Sequence, residues 1–199
     1  MRTLAIELAS ARGSVAWLDA ENEFTREWPN DRRNSAAFFE NLQVLREKFG
    51  DPEAIIVGLG PGSYAGTRIA ISTAIGIQLS CDARLIGYPS ICAMESDAQE
   101  YCVIGDARRK SFFLARILEN EVIEGPTLFS DLEVKAKLES LDLTIPVFAS
   151  ELLPRFQRAV ICFPSALILA RLAKEPRRRF CQPPLKPFYL REPHITMPK

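Results

Sequence analysis

Residues 58–68 read GLGPGSYAGTR, four glycines and a proline set between an apolar run and a run with helical spacing. A strand, a glycine turn and a helix start in succession can aim backbone N–H groups and the positive end of a helix dipole at an anion. Gly60, Gly62, Ser63 and Gly66 would make those contacts. The pattern is nevertheless neither GxxxxGK[ST], since no lysine follows the last glycine, nor GxGxxG after the first strand. The same glycines suit a tight strand-to-helix turn, where they permit positive φ and close backbone packing while Ser63 caps the helix. On loop physics alone both readings stand.

Other groups able to do chemistry are few. His194 is the only histidine. It lies in EPHIT near the end of the chain, where a surface position is expected. A hydrolytic zinc site takes about three protein ligands, so no metal ligands are expected. Ser63 is not in a GxSxG setting and has no second histidine to serve as its base. The five cysteines, Cys81, Cys92, Cys102, Cys162 and Cys181, form no CxxC pair and sit among apolar neighbours, as buried reduced thiols would. Asp106 and Arg108 in GDARR directly follow an apolar run. That is the place of a turn, with the carboxylate accepting local N–H bonds, or of a charged pair at a lobe interface.

These residues need elements to position them. Apolar runs at 3–8, 14–18 and 23–28 predict a three-stranded meander. A helix follows, capped by Asn34 or Ser35, with Phe38, Leu42, Leu45 and Phe49 at helical spacing, and Gly50-Asp51-Pro52 stops it. Residues 54–57 predict a buried strand and 67–79 a second helix. A linking strand and helix over 84–99 lead into a second round: strands at 101–105, 111–118 and 121–123, a helix capped by Ser130 through Leu141, a strand at 144–149 and a helix at 164–174. Two βββαβα units, the second shortened, predict an α/β protein of two similar lobes, 1–99 and 100–199. The Pro- and Arg-rich tail from Glu175 is expected to lie extended over the surface, anchored by Phe188, Tyr189 and Leu190.

On the helix after the glycine loop, Gly66, Ala70 and Ala74 recur every four residues, with Thr73, Ile77 and Cys81 alongside. Such a bare face is either core packing or a surface on which a partner's helices dock. Composition favours no partner class by itself: 25 basic residues balance 25 acidic ones among 199, so a nucleic-acid or membrane surface would have to be local. No run is long enough to span a bilayer and no secretion signal opens the chain, so a cytoplasmic protein is expected.

Four segments in order resemble the TsaB (YeaZ) family, non-catalytic members of the actin/Hsp70/sugar-kinase superfamily with RNase H-like lobes. They are TLAIELASARGSVAW, GPGSYAGTRIAISTAIGIQL, GDARRKSFF and PFYLR. The second is similar to the family's GPGSFTGLRIG and the third to its D-A-R-x-x-E-[VI]-[YF] segment. The resemblance implies a scaffold that pairs with the TsaD enzyme, joined by the TsaE ATPase, in forming threonylcarbamoyladenosine at position 37 of tRNA. It implies a homodimer through the same helices when the chain is alone, and tRNA contact only through the complex. The docking residues would be Phe38, Leu42, Arg68, Ala70, Thr73, Ala74 and Ile77. No cofactor is expected, although ATP or ADP could bind at the complex or weakly in the cleft beside Glu7, Asp106 and Arg108. Where the family has Asp-Thr-Ser or Asp-Thr-Ala this chain has Glu7-Leu8-Ala9, and Arg33-Asn34-Ser35-Ala36 replaces a His-Ser-Glu. The rival readings are a small ATP-binding phosphotransferase or ATPase of the same superfamily and a divergent homodimeric paralogue. The cluster Arg177-Arg178-Arg179, with Arg171, Lys174 and Lys186 nearby, is a solvated surface or a phosphate contact.

Overall fold

In a computed structural model of the chain, residues 1–30 and 35–191 are described. Arg33, Asn34 and His194 lie outside them. The first half forms β1 (Thr3–Glu7), β2 (Arg12–Leu18), β3 (Glu23–Pro29), α1 (Ala36–Phe49), β4 (Ala54–Gly58), α2 (Tyr64–Cys81) and β5 (Arg84–Tyr88). A 3-10 turn, Ser90–Ala93, leads to β6 (Glu100–Asp106), β7 (Ser111–Leu118), β8 (Glu121–Ser130), α3 (Asp131–Ser140), β9 (Val147–Ala149), β10 (Ala159–Ile161) and α4 (Ala166–Leu172). None of the described helices is long and apolar enough to cross a membrane.

The expected repeat is present in the strand order. One sheet runs β3-β2-β1-β4-β5 and the other β8-β7-β6-β9-β10, each with an antiparallel meander continued by parallel strands. The second lobe is shorter because no helix joins β9 to β10. Where α2 stands in the first lobe, the second has residues 150–158, ending in Arg158. That guanidinium donates to the carbonyls of Leu141, Asp142 and Ile145 at 2.9–3.1 Å and to that of Leu138, satisfying acceptors at and beyond the end of α3 that the helix cannot bond itself. At its other end α3 has the expected Ser130 cap, a full capping box with Glu133.

Strand alternation divides the core into three layers. Leu4, Ile6, Val15, Trp17, Ile55 and Val57 face α1 and α2. Ala5, Ala16 and Ile56 on the opposite face of the same sheet meet Ala166, Leu169 and Ala170 of α4, together with Tyr101, Val103 and Phe148 of the second sheet. Cys102, Ile104, Val134 and Leu138 lie between the second sheet and α3. Small residues on both partners let α4 sit close to the first sheet, and Ser14 Oγ accepts the Ala166 N–H at 2.9 Å. A helix from the second half thus packs on the sheet of the first.

Several local expectations are corrected. The link over 84–99 holds a 3-10 turn rather than an α-helix, β8 extends to Ser130, and β10 lacks the length and alternation by which a strand is read from sequence. Ser35 precedes α1 without a side-chain cap bond. The tail is held by buried Leu185 and by backbone pairing of Cys181 with Gly87 as well as by the anticipated residues. Phe188 N–H donates to the Leu59 carbonyl at 2.7 Å, Tyr189 stacks on Tyr64 and half-buried Leu190 packs on the core, although the Phe188 and Tyr189 side chains stay exposed. Cys181 is exposed and Cys81 half-buried, unlike the three interior cysteines. Arg178 is no surface cation: it bonds Tyr88 Oη, the Glu119 and Asn120 carbonyls and Glu175. Arg158→Ala is expected to lower unfolding stability by about 2 kcal/mol, since charged hydrogen bonds to several carbonyls are lost; an unchanged denaturant midpoint would show that water replaces them without loss.

Candidate functional site

A cleft of about 560 Å³ separates the lobes. From the first lobe it is lined by Ala9, Ser10, Asn30, Gly62, Ser63 and Tyr64, from the second by Val103, Asp106, Arg108, Phe113 and Glu151, and from the tail by Phe188, Tyr189, Leu190 and Arg191. Of the anticipated anion contacts, Gly62, Ser63, Asp106 and Arg108 meet here. Gly60, Gly66 and Glu7 lie behind the wall.

Five amides of the glycine loop and the first turn of α2 are committed to the fold itself. The amides of Leu59 and Gly60 donate to the Tyr88 carbonyl and Ser90 Oγ at 2.9 Å each. Ser63 N–H donates to the Ala9 carbonyl at 2.6 Å, Gly66 N–H to Ser63 Oγ at 3.2 Å and Thr67 N–H to the Ser63 carbonyl at 3.0 Å. A β-carbon at Gly62 would overlap the Ala9 carbonyl oxygen, and one at Gly66 the Leu8 carbonyl oxygen. Those oxygens face the loop, which is unfavourable for an anion at the same place. The glycines therefore serve close packing of the loop on the turn after β1, as the structural reading of the sequence holds, and Gly60 adds a φ of 89° that side chains avoid.

Glu7 ends β1 on the side facing Gly58, where even a β-carbon would overlap its Oε2. Its Oε1 accepts the Ala9 N–H at 2.6 Å, while Oε2 has no hydrogen-bond partner among the described residues. Full burial pushes the carboxyl up to about 7; the nearby Ser90 hydroxyl and the Ala9 N–H work against the rise. The group is thus half-protonated near neutrality and shielded from the cleft. Burial likewise pushes the Cys92 thiol up to about 12 and raises those of Cys102 and Cys162, which disfavours thiolate formation. Among the described residues, no three His, Cys, Asp or Glu side chains group as metal ligands would.

Asp106 makes the local turn foreseen for it. Its Oδ1 accepts the Arg108 N–H at 2.6 Å, its Oδ2 lies 3.4 Å from the Arg108 guanidinium, and its own N–H donates to Glu151 Oε1 at 2.9 Å. The sequence pattern singled out neither Tyr64 nor Glu151 and Arg191, because only the tertiary fold brings them to the cleft.

The small-residue face of α2 does not look outward. Ala70 and Ala74 are fully buried against the first sheet, and Phe38, Leu42 and Ile77 with them. Thr73 is half-buried and Arg68 exposed, its guanidinium bonded to Tyr64 Oη. Exposed instead are Phe39 and Val44 on α1 and Ile75 and Leu79 on α2, with Leu79 83% accessible. Ile75 and Leu79 are four residues apart, a stripe visible in the sequence but masked because this helix is apolar on more than one side.

A family model described as TsaD, tRNA N6-adenosine threonylcarbamoyltransferase, matches residues 36–142, more than half of the chain and including both the glycine loop and the GDARR turn. The chain belongs to the TsaD family. Its fold is similar to that of a Pseudomonas aeruginosa protein described as uncharacterized with similarity to peptidase YeaZ. The TM-score is 0.74 at 19% identity, covering 96% of this chain and 99% of that one. It is also similar to YeaZ from Pseudomonas aeruginosa, with a TM-score of 0.69 at 18% identity over 86% and 90% of the two chains. The YeaZ resemblance and the α/β architecture of two sheets with a repeated strand order, read from the sequence of this TsaD-family chain, hold at the level of the fold. No curated protein matches in sequence.

The Glu7 carboxyl gives a signed pH test. Because its folded pKa lies above the ordinary value of 4.5, its contribution to stability is full below that value and is lost as pH rises through about 7. Glu7→Gln keeps the shape and removes the titration. Between pH 5 and pH 8 the variant should gain on the wild type by up to roughly 3 kcal/mol in chemical denaturation; parallel pH profiles would place an ordinary carboxylate at this position.

Proposed function

We propose that the chain is a non-catalytic scaffold subunit that pairs with the TsaD enzyme in threonylcarbamoyl transfer to adenosine 37 of tRNA, with the TsaE ATPase joining the pair. The observation that carries this reading is the apolar outer side of the α1–α2 layer in a chain of the TsaD family, where Phe39, Val44, Ile75 and Leu79 remain exposed. Both helices lie on one face of the first sheet and are fixed to it through Phe38, Leu42, Ala70, Ala74 and Ile77, so the layer is a rigid platform whose outer residues are free. Exposed apolar side chains on a rigid layer favour association, because their burial releases ordered water without ordering much backbone. When TsaD is absent, a second copy of the chain is the occupant this platform would accept.

A scaffold role is supported further by the interior of the cleft. The glycine loop uses the amides of Leu59, Gly60, Ser63, Gly66 and Thr67 within the fold, and Glu7 is shielded and half-protonated near neutrality. Neither feature suits a phosphotransferase that must hold a nucleotide's phosphates and their counter-ion.

The test uses outward positions only. Ala70→Arg would bury a guanidinium in the lobe core and unfold it, so it reports on packing rather than docking. Leu79→Arg and Ile75→Arg leave the inner face intact, and each is expected to weaken co-purification with TsaD by about tenfold or more while the melting temperature stays near that of the wild type. Undiminished association of both variants would remove the α1–α2 platform as the interface.

A further inference from the structure

We propose that the hairpin tip at the cleft rim, together with the paired tyrosines on the facing wall, is a direct RNA contact of this chain: Arg109, Lys110 and Arg191 on phosphates, Tyr64 and Tyr189 against an unstacked base. The inference rests on the tRNA-modification reading above, and it goes beyond that reading by giving this chain its own contact with the substrate.

The turn between β6 and β7 places cations on an unfavourable backbone. Ser111 N–H donates to the Arg108 carbonyl at 3.1 Å, closing a four-residue turn whose central residues Arg109 and Lys110 have φ of 53° and 59°. Two consecutive left-handed residues make a type I′ turn, which sequences ordinarily fill with Asn-Gly because side chains carry a steric penalty there. Arg108, at φ 63°, extends the left-handed run to three. Three bulky cations thus occupy backbone positions that glycine or asparagine would fill with less strain. Strain of this kind persists where the side chains serve something other than stability.

Charge points the same way. Arg108 is paired with Asp106, but among the described residues Arg109, Lys110 and Arg191 make no ion pair. Arg108 and Arg191 line the cleft beside two carboxylates, Asp106 and Glu151, and Arg109 and Lys110 add two further cations next to Arg108 in the turn, in a chain whose total charge is zero. Across the cleft Tyr189 stacks on Tyr64 with ring centroids 5.3 Å apart, and the two remain 40% and 48% exposed. Unneutralised cations beside an accessible aromatic wall suit a single-stranded nucleic acid, whose phosphates and base faces need both.

The experiment measures binding of fluorescently labelled tRNA to the full chain over a series of salt concentrations, for the wild type and for the double variant Arg109→Asn with Lys110→Gly. Asn-Gly is the favoured filling of this turn, so the variant should melt no lower than the wild type. It should nevertheless bind tRNA about tenfold more weakly, with a dependence of log affinity on log salt shallower by about 1.5 for two lost phosphate contacts. Tyr189→Ser should weaken binding without changing the salt slope, and ADP should not compete. Equal affinity of wild type and double variant, absence of tRNA binding by the wild type, or displacement of tRNA by ADP would each overturn the site. Co-purification of the same variants with TsaD, through a platform that does not include this turn, is expected to be unchanged. Loss of wild-type pairing there would count against the scaffold reading and not against the RNA contact.

Discussion

The structure depends on one close approach, that of the glycine loop to the turn following β1. Gly62 and Gly66 leave no room for a β-carbon beside the Ala9 and Leu8 carbonyls, and Gly58 leaves none beside Glu7. That contact sets where α2 starts, and α2 then lays Ala70 and Ala74 on the sheet. It also closes the back wall of the cleft and shuts Glu7 off from water. A substitution at Gly62 or Gly66 would therefore disturb the helix, the cleft and the buried carboxyl together. Close packing is what Gly58, Gly62 and Gly66 make possible here.

The second constraint is the interlocking of the halves. Helix α4, from the second half, covers the inner face of the first sheet through Ala166 and Ala170, and the tail returns to pair Cys181 with Gly87 on β5. Arg178 holds the β7–β8 turn and Tyr88 in the same cluster. With the lobes tied on both sides, the cleft between them has walls fixed by core packing, and Arg109, Lys110 and Tyr189 stand outside that packing, exposed at or beside its rim.

Much of this was legible in the sequence. Apolar runs bounded by turn residues located the meanders and the first two helices, and their order exposed the repeat that the two sheets share. The glycine loop yielded its correct structural alternative, though not the choice between the two. What stayed hidden was long-range. The side of α2 that meets the sheet could not be told from the side that meets solvent, because Ala70 and Ala74 compete with Ile75 and Leu79 for the same role on an almost wholly apolar helix. The allegiance of α4 depends on small residues in β1 and β2 more than 150 positions away, as the 152-residue separation of Ser14 and Ala166 shows. The Arg177–Arg179 cluster drew attention as a cationic surface, yet its middle member Arg178 is structural, while Arg109 and Lys110, which also make no ion pair among the described residues, stand in a turn where only backbone dihedrals reveal that they are held under strain.

The central claim is that the working surface of this chain is the outside of its helical layer, with the loop and Glu7 as internal supports. Hydroxyl-radical footprinting of the chain with and without TsaD tests it at side-chain resolution. The account predicts that Phe39, Ile75 and Leu79 lose reactivity in the mixture while Phe113 and Phe188 in the cleft keep theirs. Protection of the cleft residues with Leu79 unchanged would contradict it.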